Sequence, residues 1–336
     1  MKIKTNIQFV NSCKLKEILN EKNTLIIIDS KILNLYSNEF QQVNPRIIVI
    51  DDAEKTKNIN NFLAVLEKLI EYKANKNTHL IGIGGGKITD LTGFIASIYM
   101  RGIAVSFIPT TLLAMVDASV GGKNALDFGN IKNIIGTIYQ PQNIFINLDF
   151  LKSLPNSEIF SGIIEILKIG FLFDKSLAMQ AFNTDFQCSN FKSQNQIEEI
   201  NKIIQKSIEQ KLKIVEEDEF DNGKRKLLNF GHTIGHILEL EYNLPHGEAV
   251  AYGMIFEVKL ATLLNYTNNA VFDEIHKIIT KYFTKSLENF DLKSVIDKII
   301  FDKKNICGKI ALTIIKELGN SELIDVDIEN FKKLMT

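Results

Sequence analysis

The sequence predicts an α/β domain with a doubly wound parallel sheet, followed by a mostly α-helical domain. In the first half of the chain, short runs of β-branched and other apolar residues alternate with helical segments, which is the pattern of a parallel sheet covered on both faces. After Pro155, apolar residues recur at helical spacing and strand candidates become few. We therefore expect two domains, at residues 1–153 and 154–336.

Five apolar runs predict the strands of the sheet, because strands buried on both faces are nearly continuous in apolar residues. The runs are TLIIIDS (24–30), RIIVIDD (46–52), HLIGIGGG (79–86), AVSFIPTT (104–111) and NIFINLD (143–149). The segment 58–75 has apolar residues at three- and four-residue spacing and predicts a helix between the second and third of these strands. In the second half, residues 309–327 predict a small hairpin that closes over Gly319–Asn320.

The composition is that of a globular protein in a reducing compartment. Of the 336 residues, 45% are hydrophobic and 24% are charged, and a net charge of −1 produces no field that attracts nucleic acid or a membrane surface. The three cysteines are widely scattered, and no apolar run is long enough to predict a membrane span. We expect a cytoplasmic protein that binds neither nucleic acid nor membranes.

A glycine-rich turn, IGIGGGKITD (81–90), joins the third predicted strand to a helix. Glycines at such a turn let backbone amides approach a phosphate, and the start of the helix favours an anion, as in Rossmann-like dinucleotide-binding domains. Lys87 stands where the third glycine of a G-x-G-x-x-G motif would be, so a simple tight turn is the alternative. Asp90 follows in the helix and could face a ribose, a substrate hydroxyl or solvent.

Two further stretches place charged residues among apolar ones. VDASVGGKNALDFGNIKN (116–133) carries Asp117, Lys123, Lys132 and Asn133 around a second glycine pair, and predicts either a lined cleft or a surface loop.

SGIIEILKIG (161–170) carries Glu165 and Lys168 on one face of an apolar helix. Because charges are costly to bury unless they are paired or bound, this pair is either a structural ion pair or part of a ligand or metal site.

The segment NFGHTIGHILELEYNLPHGE (229–248) holds three of the five histidines of the chain. His232 and His236 are four residues apart on one helix face, which lets two imidazoles converge on a zinc ion. His246 follows a break at Pro245 and opens another helix. Spacing alone favours His232 and His246 as ligands and leaves His236 as either a ligand or a proton donor beside the site.

Cations precede the histidine segment. Lys211, Arg225 and Asn229 lie upstream of His232 within reach of the same site. Fixed cations beside a metal predict an anionic substrate that carries a carboxylate or a phosphate.

With these motifs in order, the chain resembles the 3-dehydroquinate synthase family of sugar-phosphate cyclases, which is related to polyol dehydrogenases of the glycerol-dehydrogenase type. The motifs that carry the resemblance span roughly half of the chain. They are GGGKITDLTGFIASIYMRG (84–102), PTTLLAMVDASVGGKNALDFGNIKNIIGTIYQP (109–141), SGIIEILK (161–168), and RKLLNFGHTIGHILE with HGEAVAYGM (225–254). The resemblance implies an NAD-binding α/β domain, a helical second domain, a divalent metal, usually zinc and sometimes cobalt, in the cleft between them, and a homodimer.

Residue by residue, the resemblance implies that Glu165, His232 and His246 are the metal ligands, which moves His236 to the substrate side. Residues matched to the surroundings of the substrate are Asp117, Lys123, Asn133, Lys168, Lys211, Arg225, Asn229, His236 and one of Lys303 and Lys304. Arg101 matches an arginine that reaches the site of the partner subunit. Residues matched to NAD contacts are Glu54, Lys57, Gly86, Lys87, Ile88, Thr89, Asp90, Thr110, Thr111, Lys123, Lys132 and Ser153.

The sequence departs from the usual family motifs at three places. GGGKITD (84–90) stands where GGGVIGD is common, and its GGGK portion is closer to the polyol dehydrogenases. Asn124 stands where a threonine is usual, and Asp221 stands where a glutamate is common.

The reaction implied by the resemblance converts 3-deoxy-D-arabino-heptulosonate 7-phosphate to 3-dehydroquinate and phosphate, a step of aromatic amino-acid biosynthesis. It combines transient oxidation by NAD, elimination of phosphate, re-reduction and aldol cyclisation. Three alternatives are a polyol dehydrogenase, a cyclase acting on another sugar phosphate, and a non-catalytic NAD-binding protein that kept the fold.

Overall fold

The structure is a computed structural model that describes residues 5–40, 46–51, 57–129, 131–186, 193–283, 290–291, 294–295, 297–298 and 309–328. The chain forms two compact units. The first comprises Met1–Pro155 and Phe186–Asn201, and the second comprises Asn156–Asp185 and Lys202–Thr336. The predicted division at residues 153 and 154 stays a prediction.

The first unit is built on a parallel six-stranded sheet, which confirms the predicted α/β class. The strands of this unit are β1 (Asn6–Phe9), β2 (Thr24–Asp29), β3 (Ile47–Ile50), β4 (His79–Gly84), β5 (Ala104–Pro109), β6 (Lys123–Phe128), β7 (Ile131–Ile138) and β8 (Asn143–Ile146). Six of them form the sheet, in the order β1-β8-β5-β4-β2-β3, with all neighbouring strands parallel, and β6 and β7 form a separate hairpin. The five predicted strands are confirmed, whereas β1 was not predicted because NIQF is a short, partly exposed edge strand without an apolar run.

Helices cover this sheet. They are α1 (Ser12–Leu19), α2 (Ser30–Leu35), α3 (Ser37–Phe40), α4 (Ile59–Glu71) and α5 (Gly86–Ile98). The α4 helix is the one predicted within residues 58–75, and the side chain of Asn58 caps its first turn by accepting from the backbone N–H of Asn61 at 2.9 Å. The α5 helix follows the glycine-rich turn and is largely buried, so this turn is held between the sheet and the packed helix.

Residues 116–133 form part of a structure that the sequence did not predict. A one-turn π-helix (Ala114–Ala118) leads into the antiparallel hairpin of β6 and β7. The sequence signal was weak because β7 is mostly exposed and the segment is rich in small and polar residues. Asn124 is buried, and its amide donates to the carbonyl oxygens of Gly122 at 2.7 Å and Tyr139 at 3.0 Å. The departure from the family motif at this position therefore serves the hairpin backbone.

The second unit is mostly helical, as predicted. Its helices are α6 (Asn156–Phe173), α7 (Lys175–Asn183), α8 (Gln194–Glu217), which begins in the first unit, α9 (His232–Tyr242), α10 (His246–Leu263) and α11 (Asn269–Ile279). The predicted hairpin is present as the antiparallel strands β9 (Lys309–Glu317) and β10 (Asn320–Asp327).

The hairpin turn lies one residue earlier than predicted. Asn320 pairs with Glu317, so the turn residues are Leu318 and Gly319. Gly319 has a φ of +89°, a conformation that favours glycine, and a Cβ there would lie 2.7 Å from the backbone nitrogen of Lys175. Within the described part of the chain, none of the helices is both long and apolar enough to cross a membrane.

Candidate metal and substrate site

Three helices of the second unit, α6, α9 and α10, approach one another at glycines. A Cβ on Gly247 of α10 would lie 2.4 Å from the Cα of Ser161 on α6. A Cβ on Gly253 would lie 2.0 Å from the carbonyl oxygen of Gly231 at the start of α9. Any side chain at these glycines would push the helices apart, so the close approach depends on glycine.

The glycine contacts place the candidate ligands. Glu165 lies one helical turn after Ser161, and His246 directly precedes Gly247. His232 directly follows Gly231. Each candidate ligand is therefore next to, or one turn from, a point where two helices are in backbone contact, and its position follows from the packing.

Glu165, His232 and His246 each offer a ligand atom within 4.8 Å of the others. The Nε2 atom of His232 lies 3.5 Å from Oε1 of Glu165, and the rings of His232 and His246 have centroids 5.6 Å apart. Ligand atoms lie about 2 Å from a zinc ion and so about 3.3 Å from one another. Small side-chain rotations would bring these atoms to that spacing, and two imidazoles with one carboxylate are a common donor set for catalytic zinc.

Lys168 forms a buried ion pair with one of these candidate ligands. Its Nζ lies 2.5 Å from Oε2 of Glu165, and the side chains of both residues are 2% exposed. The sequence left open whether this pair is a structural ion pair or part of a site. The structure shows a paired carboxylate whose other oxygen faces His232.

A second, overlapping group shares one of these histidines. His236, Glu239 and His246 also offer ligand atoms within 4.8 Å of one another. The Nδ1 atom of His246 lies 3.6 Å from Oε2 of Glu239, so this carboxylate is placed to orient the ring of His246. Geometry therefore leaves His236 with the two roles that its spacing suggested, a metal ligand or a proton donor beside the site.

Two further cations of the second unit are buried. Lys211 on α8 is 6% exposed and Arg225 is 2% exposed. Arg225 lies in a 3₁₀ segment (Lys224–Asn229), and its guanidinium donates to the carbonyl oxygen of Glu219 at 2.6 Å. Asp218 accepts from the backbone N–H of Arg225 at 3.1 Å. These contacts hold Arg225, whereas Asn229 at the end of the segment is exposed, and Lys303 and Lys304 lie outside the described residues.

In the first unit, the glycine-rich turn is tightly packed. The α5 helix begins at Gly86, and a Cβ on Gly86 would lie 2.9 Å from the Cβ of Ala118. A Cβ on Gly85 would lie 3.2 Å from the side chain of Thr111, and the backbone N–H of Thr110 donates to the carbonyl of Gly84 at 3.0 Å. The turn thus presents bare backbone at a helix start, which suits a phosphate.

Asp90 on α5 belongs to a charged cluster of the first unit. The Nζ of Lys57 donates to Asp90 at 2.8 Å, hydrogen-bonds the side-chain oxygen of Asn133, and lies 3.8 Å from Asp127. Burial raises the pKa of Asp90 to about 6; Lys57 opposes this rise, and the charges of Asp127 and Asp117 add to it. Asp127 was not predicted, although the sequence offered one signal: this acid stands two residues before a glycine that follows an apolar run.

Other predicted residues of the first unit differ in exposure. Those that are exposed are Lys87, Arg101, Lys123, Lys132 and Asn133; Ile88, Thr89 and Thr110 are buried. The hydroxyl of Ser153 lies 2.7 Å from that of Tyr36. Arg101 has a φ of 62° between Met100 and Gly102, which also have positive φ. Glu54 lies outside the described residues.

A chain that combines a parallel α/β unit carrying a glycine-rich turn with a helical unit carrying a histidine–carboxylate cluster and buried cations belongs to the class of metal-dependent enzymes that use a nicotinamide dinucleotide. Comparison with known proteins narrows this class. Residues 47–161 match the family model described as 3-dehydroquinate synthase N-terminal, and residues 162–305 match the one described as 3-dehydroquinate synthase C-terminal.

Individual relatives agree with the family models. The 3-dehydroquinate synthase of Pyrococcus furiosus is 38% identical over 92% of this chain and 90% of its own length. A 2-epi-5-epi-valiolone synthase from Streptomyces hygroscopicus, solved with NAD+ and Zn2+, is 21% identical with a TM-score of 0.84, covering 100% of this chain and 96% of that one. A 2-deoxy-scyllo-inosose synthase, solved with carbaglucose-6-phosphate, NAD+ and Co2+, is 24% identical with a TM-score of 0.81, covering 98% and 95%. The chain belongs to the 3-dehydroquinate synthase family, whose namesake members are carbon–oxygen lyases.

We expect the stability of the protein to depend on pH through Asp90. The pKa of Asp90 is raised from 3.8 to about 6, so the folded protein favours the protonated carboxyl. This contribution to stability is fully present below pH 3.8 and is lost as pH rises through about 6. Asp90→Asn stays neutral, so its free energy of unfolding minus that of the parent should increase by roughly 2 to 3 kcal/mol from pH 4 to pH 7.5. Urea denaturation at both pH values measures this difference, and a difference that stays constant with pH contradicts the prediction.

We expect His232 and His236 to differ in their effect on bound metal. His232→Ala should lose most of its zinc, because it removes one of the three candidate ligands that the resemblance implies. The resemblance places His236 on the substrate side, so His236→Ala should keep near-stoichiometric zinc and turn over about 100-fold or more slowly, the loss typical of removing a proton-transferring group. Metal analysis of both purified variants is the measurement. Equal loss of zinc from the two would favour the overlapping group that contains His236 and Glu239.

Proposed function

We propose that this chain converts 3-deoxy-D-arabino-heptulosonate 7-phosphate to 3-dehydroquinate and phosphate. The observation that carries the proposal is the convergence of Glu165, His232 and His246 in the same helical unit as three buried cations. Sequence identity of 38% with a named 3-dehydroquinate synthase, over 92% of the chain, supports the same reaction. The step belongs to the shikimate pathway, which leads to chorismate and the aromatic amino acids.

We propose that the protein uses a divalent metal, zinc or cobalt, together with NAD. Glu165, His232 and His246 would hold the metal, because their donor atoms and spacing fit it. When bound, the metal supplies Lewis acidity at a substrate hydroxyl, and NAD supplies a hydride acceptor that returns the hydride before the product leaves.

Residues of the second unit bind and orient the substrate in this proposal. Lys168, Lys211 and Arg225 are almost fully buried, so they meet an anion with little competition from water and little change in their own positions. The planar guanidinium of Arg225 is suited to two hydrogen bonds with a carboxylate or phosphate. Asn229 is exposed and offers an amide to the substrate hydroxyls.

His236 moves a proton in this proposal. Its ring lies 5.8 Å from the ring of His232 and 6.4 Å from that of His246, measured between centroids, and it is partly exposed. An imidazole that is near the metal group but still open to solvent can exchange protons at neutral pH. Elimination of phosphate needs such a group, because a C–H proton is removed as the leaving oxygen departs.

Residues of the first unit bind NAD in this proposal. The bare turn at Gly86 and the start of α5 are suited to the pyrophosphate, and the backbone of Lys87, Ile88 and Thr89 belongs to that first turn. The remaining proposed NAD contacts are Glu54, Lys57, Asp90, Thr110, Thr111, Lys123, Lys132 and Ser153. Asp117 and Asn133 complete the proposed substrate residues, and Asn133 is joined to Asp90 through Lys57.

Phosphate release with a catalytic amount of NAD+ tests the proposed reaction. We expect the metal-loaded protein to release one phosphate per heptulosonate phosphate with no net rise at the NADH absorbance band, because the hydride is returned within each turnover. Arg225→Lys is the matched variant. It keeps the charge but loses the planar pair of donors, and should reduce kcat/KM by about 10- to 100-fold.

Each contrary result identifies an alternative. Stoichiometric production of NADH from glycerol or a similar polyol would indicate a polyol dehydrogenase. The GGGK motif that ends at Lys87 resembles the corresponding motif of those enzymes. Phosphate release from a hexose phosphate but not from the heptulosonate would indicate another cyclase. No turnover of either substrate by protein that binds NAD and zinc would indicate a binding protein.

We propose that the protein works as a homodimer in the cytoplasm and that Arg101 serves the site of the partner subunit. Three consecutive residues, Met100 to Gly102, have positive φ, which is unstrained for Gly102 but strained for Met100 and Arg101 unless their surroundings hold them. Here the Nζ of Lys76 binds the carbonyls of Met100 and Gly102, and the Tyr139 hydroxyl binds the next carbonyl, of Ile103, at 3.0 Å. The strained loop leaves Arg101 exposed, as a residue that serves a partner must be.

Complementation between two inactive variants tests the shared site. Arg101→Ala and Lys211→Ala should each be nearly inactive alone. When they are co-expressed, a mixed dimer has one complete site, so the pool should recover about a quarter of the parent activity if subunits pair at random. No recovery in mixed dimers isolated with two affinity tags would place Arg101 in the site of its own chain.

A further inference from the structure

Glu257 is a buried carboxylate that none of the proposed metal, substrate or NAD contacts uses. It lies on α10 in an otherwise apolar stretch and is 6% exposed. Burying a carboxylate is costly unless its oxygens accept hydrogen bonds. Both oxygens do so here: Oε2 accepts from the backbone N–H of Gly231 at 2.7 Å, and Oε1 accepts from the backbone N–H of Thr313 at 2.9 Å.

The bond to Gly231 acts at the start of the histidine helix. Gly231 is the residue before α9, has a φ of +78°, and provides no side-chain cap. Its carbonyl accepts the first helical hydrogen bond, from Gly235 at 2.8 Å. A Cβ on Gly231 would lie 2.4 Å from Cγ of Met254, so no larger residue could brace this turn. The carboxylate of Glu257 is therefore a direct constraint on the residue that precedes His232.

The bond to Thr313 acts on the C-terminal hairpin. Thr313 lies in β9, and its N–H donates to the carboxylate of Glu257. Two residues further along, the carbonyl of Ile315 accepts from the hydroxyl of Thr267 at 3.1 Å. Side chains from α10 and the segment that follows it thus satisfy this edge of the hairpin. Glu257 joins that edge and the start of α9 to one point on α10.

We propose that Glu257 is a positioning residue for His232, which sets the metal-binding geometry by fixing the backbone of Gly231 from α10. The inference rests on the proposed metal-dependent function. Burial raises the pKa of Glu257 to about 7 although both backbone N–H groups and the side chain of Thr313 oppose this, so the position holds a carboxylate where ionisation is unfavourable. Residues that orient metal ligands typically change metal affinity by about 10- to 100-fold when they are altered.

Replacing Glu257 by glutamine tests the proposal. Glu257→Gln keeps the size of the side chain, but it has one acceptor oxygen, so its NH2 group must face one of the two backbone N–H groups. We expect the folded variant to bind Co2+ about 10- to 100-fold more weakly than the parent. The visible absorption of its Co2+ form should also shift, because the angle at His232 changes. NAD affinity should be unchanged, because the proposed NAD residues lie in the first unit.

Thr267→Val is the matched control. It removes the other side-chain bond to the same edge of β9 but does not touch Gly231. It should lower the denaturation midpoint while keeping the Co2+ affinity and spectrum of the parent. If Glu257→Gln does not fold, Glu257→Asp carries the same test, since its shorter carboxylate cannot reach both N–H groups.

Parent-like Co2+ affinity and spectrum in the Glu257 variant, with only lower stability, would overturn the proposal and leave Glu257 a structural residue. Failure of the proposed function gives a different result. A parent protein that binds Co2+ but releases no phosphate from the heptulosonate phosphate would overturn the proposed function. The comparison of Co2+ binding between the parent and the Glu257 variant would still test the role of Glu257. Equal loss of Co2+ affinity in the Glu257 and Thr267 variants would also overturn the proposal, because it would assign the effect to the hairpin edge.

Discussion

The backbone contact between α9 and α10 is the constraint on which the candidate site depends. A Cβ on Gly253 would lie 2.0 Å from the carbonyl oxygen of Gly231, so only glycine allows this approach. The contact holds the residue before His232 against α10. A second glycine contact, of Gly247 with Ser161, holds the residue after His246 against α6, and the rings of His232 and His246 lie 5.6 Å apart. A site built on helix backbones in contact is more rigid than one built on loops.

The second unit also buries several charged side chains. Glu165, Lys168, Lys211, Arg225 and Glu257 are each at most 6% exposed. Buried ion pairs are weak evidence of stability, because the desolvation of each charge offsets much of the attraction. Their concentration in one helical unit is better explained by function, since charges that are already desolvated and fixed bind an anion or a metal without reorganisation.

The sequence could predict what is local and could not predict what depends on packing between distant segments. Continuous apolar runs identified β2, β4, β5 and β8, which lie inside the sheet and are largely buried, and also the edge strand β3, whereas β1 and the exposed hairpin of β6 and β7 lacked that signal. Histidine spacing pointed to His232 and His246, but Glu165 entered only through the resemblance to a family. No spacing rule could have joined it to them, because their proximity is set by glycine contacts across α6, α9 and α10. Glu257 had the same signal as Glu165, an acid within an apolar stretch of a helix.

Charge balance favours the proposed substrate over an uncharged polyol. Lys168 already neutralises Glu165, since their charged atoms are 2.5 Å apart. A divalent ion added to this pair would bring further positive charge to a unit that also buries Lys211 and Arg225. The proposed substrate carries a carboxylate and a phosphate and would bring negative charge to these buried cations, whereas an uncharged polyol would not. The buried cations therefore support the proposed sugar acid phosphate over a polyol.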